Sequence, residues 1–397
     1  MTAATLPPPR DAIGPIAWLR ENLFSGWVNS LVTVLIAAAL AWLAIGIGGW
    51  ALTEARWSVV TNNLRLFLIG QYPGDQAWRL WVLLAVISVL SGISAGSLGR
   101  TTRVLAITLS ACQLLIAALI LASPLGLLPA GAFVLNAGLV WVAFFVGVRG
   151  LVPRRAMLVA WLLSLPASFL LLSGIGDSAL PSVSTNLWGG LLLTILLATV
   201  GILLSFPLGV ILALGRRSEL PVVRILSTGY IELIRGVPLV TILFMADIIL
   251  PLFLPGEWRL DRVARAMGGI TLFSAAYVAE NVRGGLQAIP TGQIEAAHAL
   301  GLNGVQTNLY IVLPQALRAV IPANVGLFIS LLKDTTLVTI IGLLELLGIS
   351  RAVLAQSESF GAQMEVYVFI AVVFFILCYA MSQASYRLER QLGVGTR

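Results

Sequence analysis

Residues 290–314 read PTGQIEAAHALGLNGVQTNLYIVLP and separate two long apolar runs. Proline lacks a backbone N–H, so Pro290 is expected to end the helix before it, and Thr291 is a favourable residue to cap a new one. Ten residues later, Gly301 can adopt the left-handed conformation that stops a helix. The first half of the stretch therefore predicts one short helix that ends at a glycine turn.

The second half of the stretch predicts another short helix. Asn303 offers an N-cap, and Gln306 follows three residues later, as in a capping box. Apolar residues at every fourth position from Val305 to Leu313 form a stripe along one side. Pro314 is expected to end this helix after Leu313. A helix, a glycine turn and a second helix at a membrane surface predict a docking ridge for a partner protein.

The composition predicts an all-α integral membrane protein. Of the 397 residues 59% are hydrophobic and 10% are charged, against about a quarter charged in an ordinary soluble domain. A spanning helix needs roughly 20 apolar residues, so the chain is long enough for about ten spans. Uncharged runs place these spans near residues 28–50, 80–99, 104–122, 130–148, 156–175, 187–214, 228–253, 266–289, 319–341 and 366–386.

The two halves of the chain differ in character. Residues 28–180 are predicted to form five plain spans after a polar N-terminal segment, 1–27, whereas ordered strings of polar residues crowd the second half. Function is therefore expected in the second half. Arginine-rich loops alternate along the chain, which predicts that both termini and the 290–314 loop are cytoplasmic and that the loop near 254–262 is periplasmic. Residues 57–70 could form an interfacial amphipathic helix.

Several functions are excluded by residue type. The only lysine, Lys333, is followed by Asp334, so the chain has no lysine-containing phosphate-binding loop and cannot hydrolyse ATP by that route. The net charge of +7 suggests a nucleic acid, but the arginines flank apolar runs, as orientation signals do, so no nucleic-acid partner is expected. The single histidine, His298, cannot form a metal site alone and is interpreted as a solvated or interface residue. We predict no cofactor.

The spacing within the 290–314 stretch resembles a known motif. The residues Glu295-Ala296-Ala297, then Gly301, then Ile311 and Leu313-Pro314 fill every fixed position of the EAA motif of permease subunits of bacterial binding-protein-dependent ABC importers. Four further strings resemble the polar amino acid branch of that family: Glu232–Pro238, Ala275–Gly285, Pro314–Ala316 and Lys333–Leu337. The five-span extension resembles the broad-specificity L-amino acid permeases.

This resemblance implies a fold, a function and a set of partners. The implied fold is a type I importer permease domain over residues 187–388, with five spans and a cytoplasmic coupling helix, followed by a tail, 389–397. The implied function is translocation of L-amino acids across the bacterial inner membrane, without enzymatic activity in this chain. The implied partners are a second permease subunit, two ATPase subunits, a periplasmic amino acid-binding protein and membrane lipid. The implied ATPase-coupling residues are Glu295, Ala296, Ala297, Gly301, Ile311, Leu313 and Pro314.

Ionisable residues near or inside spans are candidates for the transport path. Glu280 and Asp247 suggest a pathway role by default, because charge at membrane depth is costly. For Glu280 the equal alternative is a helix-pairing charge, with Arg283 one turn on. Lys333 and Asp334 follow an apolar stretch and form either an intramembrane pair, which we favour, or a substrate contact.

Two other classes of membrane protein fit the sequence less well. A cation-coupled secondary transporter is compatible with five plus five oppositely oriented spans, but the halves show no internal similarity and the 290–314 loop would have no role. A membrane-embedded enzyme would need paired carboxylates or a histidine cluster in one leaflet, and the sequence has neither.

Overall fold

The computed structural model describes residues 14–97, 99, 103–176, 180–253 and 260–393. The regular secondary structure of these residues is helical, and they contain no β-strand beyond isolated bridges. The helices are α1 (Pro15–Asn22), α2 (Trp27–Thr53), α3 (Ser58–Asn62), α4 (Leu64–Ile69), α5 (Trp78–Ser97), α6 (Arg103–Leu121), α7 (Leu127–Val148), α8 (Arg154–Ser173), α9 (Gly190–Arg216), α10 (Pro221–Arg235), α11 (Leu239–Phe244), α12 (Leu250–Phe253), α13 (Arg262–Gln287), α14 (Thr291–Ala299), α15 (Gly304–Gln306), α16 (Leu313–Asp334), α17 (Leu346–Leu354) and α18 (Gln363–Leu392).

The chain divides into two units, Met1–Trp57 and Ser58–Arg397. In the described part of the first unit, α1 precedes α2, a 27-residue apolar helix long enough to cross a membrane. The second unit contains all the other helices, α3 to α18. The possible amphipathic helix at 57–70 is found as two short helices, α3 and α4.

Helices occupy all ten predicted spans. Among the described residues, seven helices are long and apolar enough to cross a membrane, or eight if a bent pair is counted as one span. The pair is α10 with the helical stretch that continues through α12. Two further helices lie where spans were expected without meeting that test: α6, whose apolar part is short, and α13, which carries several charges. The prediction of an all-α membrane protein is confirmed.

The span predicted at 228–253 is not one straight helix. The chain bends by 107° between α10 and α11, at the sequence Gly236-Val237-Pro238. Proline cannot donate a hydrogen bond in a helix interior, and the residue before it is pushed towards extended backbone. A π-helical segment, Met245–Ile249, follows α11. The prediction overlooked a break that the Gly-x-Pro sequence itself signals.

Glycines bring α5 and α7 into close contact. A Cβ atom built on Gly92 would lie 2.3 Å from the carbonyl oxygen of Val140, and one on Gly96 would lie 2.1 Å from that of Phe144. Only glycine permits this approach of two backbones, as in small-residue contacts between spanning helices. The extension therefore has its own tightly packed helix pair.

The extension from Ser58 onward shares a core with the second half of the chain. Tyr72 and Leu172 belong to the same buried cluster as residues of α9, α13 and α16, and the Tyr72 hydroxyl donates to the carbonyl oxygen of Leu172 at 3.0 Å. Arg79 is fully buried and donates to the carbonyl oxygen of Pro181 at 2.8 Å. The buried guanidinium of Arg79 thus finds a hydrogen-bond acceptor on the backbone.

A second core cluster underlies the 290–314 loop. It joins α9, α10, α13 and α16 and contains, among others, Ala213, Ile231, Val282 and Ala316. Gly285 of α13 lies so close to α16 that an added Cβ would be 2.4 Å from a methyl group of Val320. This cluster fixes the ends of the helices between which the loop emerges.

Candidate functional site

The first helix of the loop, α14, ends in a Schellman motif. The N–H of Leu302 donates to the carbonyl oxygen of Ala297 at 3.1 Å, and the N–H of Gly301 donates to that of His298 at 2.9 Å. Gly301 has a φ of +83°, so the predicted left-handed turn is confirmed. Thr291 is the first helical residue and makes no side-chain cap, because the cap position belongs to Pro290. The predicted Thr291 cap is wrong.

The second helix begins at the predicted capping box. The Asn303 side chain accepts from the N–H of Gln306 at 2.9 Å, and the Gln306 side chain accepts from the N–H of Asn303 at 3.0 Å. These reciprocal bonds fix the direction in which the chain leaves the glycine turn.

Pro314 does not end this helix, contrary to prediction. The chain runs from α15 through a π-helical segment, Thr307–Val312, directly into α16. Pro314 is the second residue of α16 and comes directly after the π-helical segment. The loop is therefore continuous with a long helix of the bundle.

The loop buries some of the motif residues and presents others. Ala297 is buried, and Ile294 and Leu313 pack on the cluster below. Glu295 and Ala296 are exposed, Ile311 is half-buried and Pro314 is exposed. The stripe expected from Val305 to Leu313 faces mainly outward. Large apolar side chains that remain exposed on the loop are Leu300, Val305, Leu309 and Tyr310.

Such a surface is suited to docking. Exposed apolar side chains beside a free carboxylate offer both contact area and a charged group for a partner's arginine or helix N-terminus. His298 is exposed, as expected, and its Nδ1 lies 3.2 Å from the carbonyl oxygen of Leu302 across the turn. The histidine therefore braces the glycine turn from the C-terminal end of α14.

Glu280 is a helix-pairing residue in this structure. Its carboxylate contacts Arg283 one turn on, with the Arg283 Nε atom 3.0 Å from both oxygens. The Nη1 atoms of Arg216 and Arg235 each lie 3.4 Å from its Oε2 atom. Arg216 also pairs with Glu232 at 3.0 Å. The pair with Arg283 is thus part of a cluster that joins α9, α10 and α13, which we call the Glu280 cluster.

Sequence reasoning did not find the other members of the Glu280 cluster. Three arginines face two glutamates, and the residues come from positions up to 67 apart in the chain. The only local signals were two acid–arginine spacings of three, Glu232 with Arg235 and Glu280 with Arg283. Arg235 also lies over the ring of Tyr277, with 5.8 Å from its guanidinium carbon to the ring centroid.

A second charged group lies at the opposite end of α13. Asp247, in the π-helical segment after α11, pairs with Arg265 at 2.8 Å and with Arg262 at 3.3 Å. The Asp261 carboxylate caps α13 by accepting from the N–H groups of Val263 and Ala264. Asp247 is thus engaged in helix pairing as well.

The favoured pairing of Lys333 with Asp334 is not found. Across the described ranges, neither side chain forms an ion pair, because adjacent residues on a helix point in different directions. Lys333 is exposed and Asp334 is half-buried at the end of α16. A substrate contact for these two residues stays a prediction.

No group of three or more histidine, cysteine or carboxylate side chains suited to a metal ion was found in the described part of the chain. The arrangement consists of an exposed loop, the helices α13 and α16 that lead from its two ends into the bundle, and ion pairs that join α13 to α9 and α10. The exposed apolar loop is suited to a partner protein, and the long apolar helices suit a membrane, so the class is a membrane-embedded component with a docking loop.

Comparisons with known proteins identify the class. Residues 205–393 match the family described as "Binding-protein-dependent transport system inner membrane component". Over 98% of its length, the chain is 39% identical to the glutamate/glutamine/aspartate/asparagine transport system permease protein BztC of Rhodobacter capsulatus, with 96% of that protein covered. It is 36% identical to the inner membrane amino-acid ABC transporter permease protein YhdY of Escherichia coli, again over 98% of the chain and 97% of the relative. The chain belongs to this family of amino-acid ABC transporter permeases.

Shorter relatives match only half of the chain. The probable glutamine ABC transporter permease protein GlnP of Bacillus subtilis is 38% identical over 51% of the chain and 92% of its own length. A solved structure described as an amino acid ABC transporter with histidines is 29% identical over 51% of the chain and 92% of its own, with a TM-score of 0.46.

Membership of this family sets the general role. The chain is a multi-pass inner-membrane transport permease and not an enzyme. The family serves ABC importers, which work with ATPase and binding-protein partners. The relatives named above are described as a transport system permease protein or as ABC transporter permease proteins, and nothing among these findings supports the cation-coupled alternative.

Proposed function

We propose that this chain is the permease subunit through which an ATP-driven importer passes L-amino acids released by a periplasmic binding protein. The importer would contain a second permease subunit, identical or homologous, and two separate ATPase subunits. The single observation that carries the proposal is the loop 291–313, which is helical, largely exposed and continuous with α16.

The loop would act as a lever. Its exposed face, with Glu295 and the apolar side chains, would lie in a groove of one ATPase subunit, while Ala297 and Leu313 hold it to the bundle. Closure of the ATPases on ATP would displace the loop, and the end of α13 and the start of α16 would move with it. Gly301 would set the angle between the two short helices, and Pro314 lies at the junction of the loop with α16.

The proposed substrates are polar and acidic L-amino acids. Support comes from the Rhodobacter relative, which is described as a glutamate/glutamine/aspartate/asparagine transport system permease protein and is 39% identical. The transport domain is proposed at residues 187–388, with 28–180 as an extension, in line with the family match at 205–393. Helix α18 continues past 388 to Leu392, so the proposed tail, 389–397, begins within a helix. The N-terminal segment, 1–27, and this tail are proposed to be cytoplasmic.

Transport by the purified complex tests the proposal. The chain would be reconstituted into liposomes with its partner permease, its ATPase and its binding protein, and uptake of labelled glutamate, glutamine, aspartate and asparagine would be measured. We expect uptake that requires both ATP inside and the binding protein outside. Uptake driven by a sodium or proton gradient without ATP would overturn the proposal in favour of a secondary transporter.

Orientation is tested separately. The predicted periplasmic loop at 254–262 lies mostly outside the described residues, so a better probe is Leu128, the second residue of α7, which is 90% exposed. Single cysteines at 128 and at 305, on a background without Cys112 and Cys378, would be treated with an impermeant thiol reagent in spheroplasts. We expect labelling at 128 and not at 305, and the reverse result would invert the topology.

A further inference from the structure

We infer that Glu280 is the positioning residue that transmits movement of the 291–313 loop to the bend in the broken span formed by α10 and α11. This inference rests on the proposed function, because it assigns a path to the coupling that the proposal requires. It goes beyond that function by naming a residue outside the loop as necessary for transmission.

The first step is the position of Glu280 relative to the loop. Glu280 lies seven residues, about two helical turns, before the end of α13 at Gln287. Pro290 and α14 follow immediately. The next residue, Asn281, donates to the side-chain oxygen of Asn324 in α16 at 3.0 Å. The turn of α13 that carries Glu280 therefore also contacts α16, the helix at the other end of the loop.

The second step is the position of its partners relative to the bend. Arg235 is the last residue of α10, and the 107° bend at Gly236–Pro238 begins directly after it. Its guanidinium contacts Glu280 at 3.4 Å and also covers Tyr277 on the same face of α13. A shift of α13 would therefore act on Arg235, directly beside the bend.

The third step is that Glu280 is the shared member of the cluster. Arg216, at the end of α9, contacts Glu280 and Glu232 alike, but among the ion pairs of the described residues Glu232 contacts only Arg216. The Glu232 side chain is 56% exposed, whereas that of Glu280 is 23% exposed. The Tyr230 hydroxyl also joins α10 to α13, by donating to the carbonyl oxygen of Leu272 at 2.7 Å. Glu280 is nevertheless the acid whose ion pair joins α13 to Arg235, the residue beside the bend, so Glu232 is peripheral to this link.

Three variants separate transmission from stability. Glu280→Gln keeps the size of the side chain and removes the charge that holds Arg216 and Arg235. Arg235→Gln removes the ion pair from α10 to Glu280 and the contact with the Tyr277 ring, and leaves the hydrogen bond of Tyr230 to α13 in place. Glu232→Gln is the matched control, because it makes the same chemical change in the same cluster without touching α13.

The experiment measures transport per ATP hydrolysed and the distance between α9 and α10. In the reconstituted complex, transport and ATP hydrolysis are measured together. In parallel, spin labels at Leu226 of α10 and Leu203 of α9, both exposed, report the distance between these helices with and without ATP. This distance change does not require substrate, so it is measurable even if the amino acid assignment is wrong.

In Glu280→Gln and Arg235→Gln we expect assembly with the ATPase, continued hydrolysis, a fall of about tenfold in amino acids moved per ATP, and loss of the ATP-dependent change in the α9–α10 distance. In Glu232→Gln we expect transport per ATP within about twofold of wild type. An unchanged distance response in Glu280→Gln would overturn the inference.

Failure of Glu280→Gln and Arg235→Gln to assemble, while Glu232→Gln assembles, would also overturn the inference by assigning the cluster to folding. If the wild-type chain binds no ATPase, the proposed function itself fails. That outcome is distinct from a selective loss in the variants.

Discussion

Gly301 offers the sharpest perturbation of the loop, because its replacement strains the backbone and nothing else. The residue has a φ of +83°, and a Cβ built on it meets no atom within 4 Å. An L-residue in the left-handed region costs about 1 to 2 kcal/mol, and a β-branched residue is the least tolerated there. Gly301→Val should therefore shift the turn away from its native conformation by a factor of about 5 to 30.

The consequence should be loss of coupling without loss of assembly. The Schellman hydrogen bonds at the turn would be weakened, and the second short helix would leave at a different angle. The bundle does not depend on this turn, since its core lies among α9, α10, α13 and α16. We expect normal membrane insertion, with a steep fall in transport and in the stimulation of ATP hydrolysis by the loaded binding protein.

A graded series makes the experiment quantitative. Asparagine tolerates the left-handed region better than alanine or valine, so impairment should increase from Gly301→Asn through Gly301→Ala to Gly301→Val. Gly304→Ala is the matched control, because this glycine lies in the same loop with open space and without a positive φ. Normal receptor-stimulated hydrolysis and transport in Gly301→Val, or equal impairment in Gly304→Ala, would refute the reasoning.

Three further predictions concern stability, each measured as the melting temperature of the purified complex. Gly285→Val places a Cβ 2.4 Å from Val320 and should destabilise by about 1 to 3 kcal/mol through overpacking; Gly284→Val, which meets no atom within 4 Å, should not, and equal losses would contradict the packing argument. Asp247→Asn leaves Arg265 without its carboxylate and should cost about 1.5 to 3 kcal/mol, with a double variant that includes Arg265→Gln less than additive; full additivity would mean that the two residues do not interact. Burial raises the pKa of the Glu345 carboxyl above its ordinary value, so the folded state binds this proton more tightly. The contribution of Glu345 to stability is therefore full below pH about 4.5 and falls as pH rises through the raised pKa. Glu345→Gln should gain stability relative to wild type between about pH 5 and pH 8, and a relative loss would show that the hydrogen bonds from the N–H groups of Leu347 and Gly348 dominate instead.

Local sequence signals predicted the helices and the glycine turn well. The capping box at Asn303 and the left-handed Gly301 involve residues within a few positions of each other, so their geometry is encoded locally. The break at Gly236–Pro238 also carried a local signal, which the uncharged character of the surrounding run obscured. The predicted helix end at Pro314 is wrong, because a π-helical segment leads directly into α16 across this residue.

Tertiary contacts could not be predicted in the same way. Glu280 meets Arg216 from 64 positions away, and Arg79 donates to a carbonyl oxygen 102 positions away. Nothing in the neighbouring sequence specifies such partners, because they depend on which helices pack together. For Glu280 the sequence therefore left pathway and pairing equally open; the packing of α9, α10 and α13 shows its ion pairs, and a pathway role stays a prediction.

The most direct test of the central claim, that this loop engages a separate ATPase, is site-specific photo-crosslinking in native membranes. A photoreactive amino acid would replace Val305, which is 76% exposed on the loop, and Leu128, which is 90% exposed and predicted to face the periplasm, would serve as the control position. The account predicts a crosslinked product containing the ATPase at 305, with a yield that changes on addition of ATP, and none at 128. Absence of an ATPase product at 305, or an equal product at 128, would contradict it.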